Sequence, residues 1–180
     1  MRKIIQKLTF YALPISLGIV SATLPHKEIF SKFGSAAFIL LSANLFLKPI
    51  SVLYKHKYLQ LFMTYRRELG VASFWFYLAH STGFFRLYGL TSDSFLNTNS
   101  FLFYGGVAAF GMWLLALTSN DYSIRFLKKN WKTLHRLSYL IFYFALYHSS
   151  RVEQEMEKFF IFGSLFLILK IIQFKKTQKI

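Results

Sequence analysis

The chain has no cysteine and only seven acidic side chains, and both scarcities narrow what it can do. Without thiols it forms no disulfide, holds no thiolate-ligated iron-sulfur cluster and offers no Cys-x-x-Cys-His site for covalent heme, so any heme is held noncovalently. Twenty-two Lys and Arg against seven Asp and Glu leave a net charge of +15, which in a soluble protein would suggest nucleic acid. Here the basic residues cluster between apolar stretches and no base-reading module accompanies them, so no nucleic-acid partner is expected. There is no glycine-rich dinucleotide fingerprint either, and the chain is not expected to be a self-sufficient nicotinamide-dependent reductase. No glycine-serine linker or low-complexity tract divides it, which favours one domain over residues 1–180.

What is present is apolar. With 54% hydrophobic and 20% aromatic residues, the composition is that of a helical membrane protein rather than a soluble domain. Taking about 17 to 25 residues as the length of a crossing, six spans are expected, at about 8–24, 33–53, 69–88, 101–118, 131–149 and 159–174. The second and sixth reach full length only by including Lys48 and Lys170, whose stems can snorkel to headgroups. The expected fold is therefore all-α, a six-helix transmembrane bundle with short loops.

Charge sets its orientation. With the N-terminus inside, 17 of the 22 Lys and Arg fall on inner segments, and five of the seven acidic residues (Glu28, Asp93, Glu153, Glu155, Glu157) fall outside. The positive-inside rule then places both termini in the cytoplasm. A cleaved signal peptide is the competing reading of Arg2, Lys3 and the apolar run ending near Ser21-Ala22-Thr23, but its removal would reverse every later loop.

Three histidines stand out in these spans: His80, His135 and His148. An imidazole in hydrocarbon is costly unless it binds something, so an intramembrane iron or proton site is the leading reading, and a membrane cytochrome with b-type heme its sharpest form. His135 and His148 lie 13 residues apart on one span, roughly 20 Å along a helix, too far to share an iron whose axial nitrogens sit about 4 Å apart. Spans three and five run in the same direction, and 13 residues before His80 comes Arg67, at the start of its span as His135 is near the start of the fifth. His80 and His148 are thus the expected axial pair, with His135 facing the Arg66-Arg67 level.

Arg66-Arg67-Glu68-Leu69-Gly70 followed by Tyr77 and His80 resembles the third helix of the ferric-reductase-like transmembrane family. Leu117-Thr118-Ser119-Asn120, Trp131-Lys132-Thr133-Leu134-His135-Arg136-Leu137 with Tyr139, and then His148 resemble its fourth-to-fifth helix segment. Within the family the likeness is to the branch of membrane subunits serving a bacterial periplasmic protein-methionine-sulfoxide reductase system. The resemblance implies a six-helix b-type cytochrome of the bacterial inner membrane, with His80, His135 and His148 as heme-linked positions. It further implies electron transfer from the quinone pool, a route that admits bound flavin mononucleotide (FMN), to a periplasmic molybdenum-containing partner that reduces oxidised methionine. The chain would then be an electron-transfer subunit rather than the catalytic one. Larger relatives carry a pair of histidines on each of two heme helices, whereas the third span here has His80 alone, which leaves a second bis-histidine heme without its ligands.

Each candidate has a plainer reading. Arg66 and Arg67 suit a heme propionate, a flavin phosphate or a quinol oxygen, yet arginines there also serve as interface anchors. His26 and His56 lie beside lysines and read as solvated headgroup-level residues. Tyr77, Tyr139, Tyr143, Trp75, Trp113 and Trp131 could edge a porphyrin or relay protons, but aromatics also fill and anchor membrane bundles. Glu153, Glu155 and Glu157 read as a solvated outer loop before a docking surface. Two rival functions stand beside the first: a metal or oxygen reductase cytochrome of the same superfamily, and a non-redox transporter whose histidines relay protons.

Overall fold

The computed structural model describes residues 2–23, 26–89 and 96–178, so the expected end of the first span at Leu24, the outer-loop Asp93 and the tail Lys179 lie outside the described residues. Among the described residues every regular element is a helix. Helix α1 (Arg2–Lys7) passes through one turn of π-helix at Leu8–Ala12 into α2 (Leu13–Thr23). The wide turn falls just before Pro14, whose ring crowds the carbonyl four residues earlier and which has no N–H to give it. Helix α3 (Lys27–Leu53) is the longest, and a short α4 (Lys57–Thr64) leads into α5 (Arg66–Tyr88). Gly89, at φ 55°, closes α5 in the left-handed conformation that glycine adopts without a Cβ penalty.

Helix α6 (Phe101–Leu117) starts at Ser100, whose hydroxyl accepts from the Leu102 N–H, and α7 (Asp121–Leu127) starts at Asn120, whose side chain accepts from Ser123. The Asn120 cap lies at the break after Leu117, where the chain bends by 92° between α6 and α7. Lys128, at φ 49°, separates α7 from α8 (Lys129–His135), and a break at Arg136 separates α8 from α9 (Leu137–Val152). Helix α10 (Met156–Thr177) completes the described chain.

Two antiparallel pairs organise the bundle. Helix α3 lies along α5, with the Ser73 hydroxyl donating to the Ala37 carbonyl at 2.7 Å. A Cβ on Gly83 of α5 would come within 2.0 Å of the Phe30 ring, so only glycine permits that approach. Helix α6 lies along α9 in the same manner, with Gly111 pressed against Ile141. Lipid is as apolar as leucine, so such close approaches, rather than a hydrophobic drive, hold helices together in a membrane. The pairs share a core in which fully buried Phe142 stacks on Phe38 at 5.9 Å and meets Phe46 and Phe166 at their edges or on a tilt. Large apolar side chains such as Ile15, Ile39, Phe110 and Phe160 point outward, as a lipid-facing surface requires.

Among the described residues, Lys3–Ser21 and Lys27–Leu53 are long and apolar enough to cross a bilayer, and α6 with α7 would be a third span if the bent pair is counted as one. Helices α3, α5 and α10 extend several residues beyond the expected spans, into polar flanks that hydropathy trims away. The expected fifth span is divided between α8 and α9, because the turn at Arg136 interrupts the helix just after His135.

Gly83→Ala is expected to destabilise the protein by about 1–3 kcal/mol, because the added methyl overpacks a seat already filled by Phe30. Gly18→Ala, where a Cβ meets nothing within 4 Å, should be close to neutral or slightly stabilising. Thermal unfolding in detergent micelles reads the contrast.

Candidate cofactor site between two helix pairs

His80 on α5 and His148 on α9 meet at one level near the ends of their helices, with ring centroids 6.5 Å apart and planes crossed at 72°. Each ring is tied to the partner helix of its own pair. The His80 Nδ1 lies 2.7 Å from the Phe30 carbonyl oxygen on α3, and the His148 Nδ1 lies 2.9 Å from the Phe101 carbonyl oxygen on α6. A carbonyl oxygen only accepts, so both Nδ1 atoms carry the proton and both Nε2 atoms keep a lone pair. Among the described residues neither Nε2 has a hydrogen-bond partner.

The rings border a cavity of about 420 Å³ between α3, α5, α6 and α9. Its walls are largely small or apolar, with Gly34, Gly105, Ala108 and Met112 among them, and Tyr77 adds a hydroxyl. Lys27 and Glu153 edge the end nearest the outer loop expected from charge counting. Among the described residues no three His, Cys, Asp or Glu side chains converge as ligands for a bare metal ion.

His135 stands apart from this pair. Its Nε2 is 3.1 Å from the Thr118 hydroxyl, and its ring stacks on Trp131 at 4.0 Å, while the Trp131 indole N–H donates to the Thr118 carbonyl. Arg66 donates from Nε to Asn44 Oδ1, and Asn44 returns a hydrogen bond to the Arg66 carbonyl, both at 3.0 Å. Arg67 is ion-paired with Asp121 at the start of α7, and its buried Nε has no partner among the described residues. The same end of the bundle holds buried Glu68, which accepts from Gln6 at 3.0 Å, and Lys170, which donates to Tyr139 and Gln173.

The remaining candidates mostly have ordinary roles. His26 and His56 are exposed and occupy the positions before α3 and α4. The Tyr143 hydroxyl donates to the Gly163 carbonyl, and Trp113 packs edge-on to Phe74. The Trp75 indole N–H is buried without a partner among the described residues. Glu153 and Glu155 both hold Lys158, which raises the Lys158 pKa, chiefly through the hydrogen bond from Lys158 to Glu153.

The family described as ferric reductase like transmembrane component matches residues 33–146. The chain belongs to the ferric reductase-like transmembrane family. Two relatives are similar over different shares of their length. The protein-methionine-sulfoxide reductase heme-binding subunit MsrQ of Agrobacterium fabrum is 30% identical over 151 residues, which is 81% of this chain and 68% of that protein. The subunit of the same name from Brucella ovis is 35% identical over 82 residues, 43% of this chain and 37% of that one. No solved structure gives a significant match.

Sequence reading did not single out Gly34 and Gly105, on which the two histidine rings rest, or the Phe30 and Phe101 carbonyls that receive their protons. A signal was present: Phe30 precedes Gly34 by four residues, and Phe101 precedes Gly105 by four. Asn44→Ala removes both bonds to Arg66 and leaves a partly buried guanidinium N–H and a carbonyl to find water, a cost of about 1–3 kcal/mol. Ser42→Ala, which loses only a bond to its own helix at Phe38, serves as the near-neutral reference in the same denaturation experiment.

Proposed function

We propose that this protein is a six-span b-type cytochrome of the bacterial inner membrane, with both termini in the cytoplasm. It holds heme b between His80 and His148 and passes electrons from the quinone pool to a periplasmic molybdenum-containing protein-methionine-sulfoxide reductase. One observation carries the reading: two imidazoles from different helix pairs line one cavity with their ring centroids 6.5 Å apart, each bonded through Nδ1 and left with an Nε2 that has no partner among the described residues. Iron–nitrogen bonds of about 2 Å place the nitrogens about 4 Å apart and the ring centroids about 6 Å apart, close to what the rings show. Family membership and the heme-binding, sulfoxide-reductase names of the relatives support the choice of cofactor and partner.

When bound, the heme supplies a one-electron couple. The chain's own residues do the rest. Phe30 and Phe101 hold the two Nδ1 protons, which fixes the tautomer that leaves Nε2 free to ligate and makes each imidazole a stronger donor. The largely apolar walls lower the polarity around the site and so would contribute to its potential. At the opposite end, Arg66 and Arg67 offer guanidinium donors to a propionate, a flavin phosphate or a quinol oxygen, and the partnerless Nε of Arg67 supports an anionic or carbonyl guest there. This is the end at which FMN would bind if the donor route includes it. His135, tied to Thr118, belongs to this end as well.

Protein purified in detergent is expected to show a Soret band and a reduced-minus-oxidised α-band. His80→Ala and His148→Ala should each abolish this heme, while His135→Ala leaves it in place. Absence of a Soret band, or a band unchanged in both of the first two variants, would sink the assignment. Reoxidation of the quinol-reduced protein by the periplasmic reductase, and not by ferric chelates or oxygen alone, distinguishes the proposed partner from a metal or oxygen reductase function.

A further inference from the structure

We propose that Gly34 and Gly105 are positioning residues that fix the planes of the two axial imidazoles and expose the carbonyls to which they bond; this rests on the heme reading above. The argument starts from helix geometry. In an α-helix each Cα–Cβ bond leans toward the N-terminus, so the side chain at one position lies over the carbonyl one turn earlier and screens it from a neighbouring helix. Glycine removes that screen. Gly34 stands one turn after Phe30 on α3, and Gly105 stands one turn after Phe101 on α6. These are the carbonyls that the two Nδ1 protons reach, at 2.7 and 2.9 Å.

The ring edges occupy the space that a side chain would fill. A Cβ on Gly34 would lie 2.8 Å from His80 Nδ1 and 3.0 Å from its Cε1, and a Cβ on Gly105 would lie 2.7 Å from His148 Nδ1 and 2.9 Å from its Cε1. Each imidazole is thus held by a hydrogen bond at Nδ1 and by a bare Cα beneath the same edge, which together leave its ring little freedom to turn. The arrangement occurs twice, on separate helix pairs, with the same four-residue spacing. It sets the rings 72° from parallel.

Crossed and parallel axial imidazoles split the iron d orbitals differently, so the plane angle has its own spectroscopic signature. The ferric wild-type protein is expected to give the low-spin electron paramagnetic resonance signal of crossed planes, dominated by one low-field feature, rather than the rhombic signal of parallel planes. Gly34→Ala and Gly105→Ala should keep the heme but move that feature. Both should also raise the midpoint potential, because a displaced ring gives a weaker Nδ1–H to carbonyl bond and a less basic ligand. Gly111→Ala, on the same helix as Gly105, is the control for overpacking: its Cβ would sit 2.5 Å from Ile141 of α9, so it should lower stability without moving the signal or the potential.

Two results overturn the positioning role alone: a bis-histidine heme whose wild-type signal is rhombic, or alanine variants with wild-type signal and potential. Wild-type protein lacking heme overturns the functional reading and this role with it. Should both alanine variants fail to assemble, the wild-type signal decides by itself.

Discussion

The structure turns on how two half-buried imidazoles dispose of their Nδ1 protons. A polar hydrogen left unpaired in hydrocarbon costs several kcal/mol, and a helix backbone offers it an acceptor only through the second lone pair of a carbonyl already bonded within the helix. Phe30 and Phe101 supply one each, as second bonds to carbonyls near the starts of α3 and α6. That demand dictates which helices must touch and in what register: α5 against α3 with His80 beside Gly34, and α9 against α6 with His148 beside Gly105. Gly83 beneath Phe30 and Gly111 beneath Ile141 continue the same close approach along each pair.

The two ends of the bundle differ in chemistry. Around the cavity the walls are mostly small, aliphatic and aromatic side chains, with Lys27 and Glu153 at one edge. At the other end charges and amides pair across helices: Arg67 with Asp121, Gln6 with Glu68, Asn44 with Arg66, and Lys170 with Tyr139, while Lys170 also bonds Gln173 on its own helix. Several of these groups are buried or half-buried, and each would be expensive without its partner. The polar end fixes how the helices lie, and the apolar end keeps room between them.

The level of His80 against His148 was legible in the sequence from the regular rise of a helix: the 13 residues from Arg67 to His80 and from His135 to His148 put the two rings at one level, although the second count crosses the turn at Arg136. The environment of His135 was less legible. The count treats residues 131–149 as one rod, whereas the chain turns at Arg136, and His135 ends up on α8, bonded to Thr118 and stacked on Trp131. Neither the break nor the glycine seats follow from hydropathy, since a glycine within an apolar run looks the same whether it faces lipid, as Gly18 meets nothing, or a ring, as Gly34 does. Arg66 and Arg67 were found as charges, but their partners, Asn44 and Asp121, come from distant segments that only the fold brings near.

The cavity also bears on stability. Phe74 and Phe142, each six residues before its histidine, belong to the shared core, and Leu41, Ala108 and Met112 line both that core and the cavity floor. Below this floor the two helix pairs pack on one another through aromatic contacts; above it they border the cavity, where His80 and His148 meet. A rigid, flat ligand clasped by His80 and His148 would fill that cavity and touch both pairs at once. Because such a ligand binds only the folded arrangement, its binding free energy adds to the stability of the interface by mass action, on the order of 4 kcal/mol at a thousandfold excess over the dissociation constant. On the proposed reading, the glycines beneath the rings would be tied to folding as well as to electron transfer: a ring that could not reach its carbonyl would weaken both the ligand bond and the contact made through the ligand between the helix pairs.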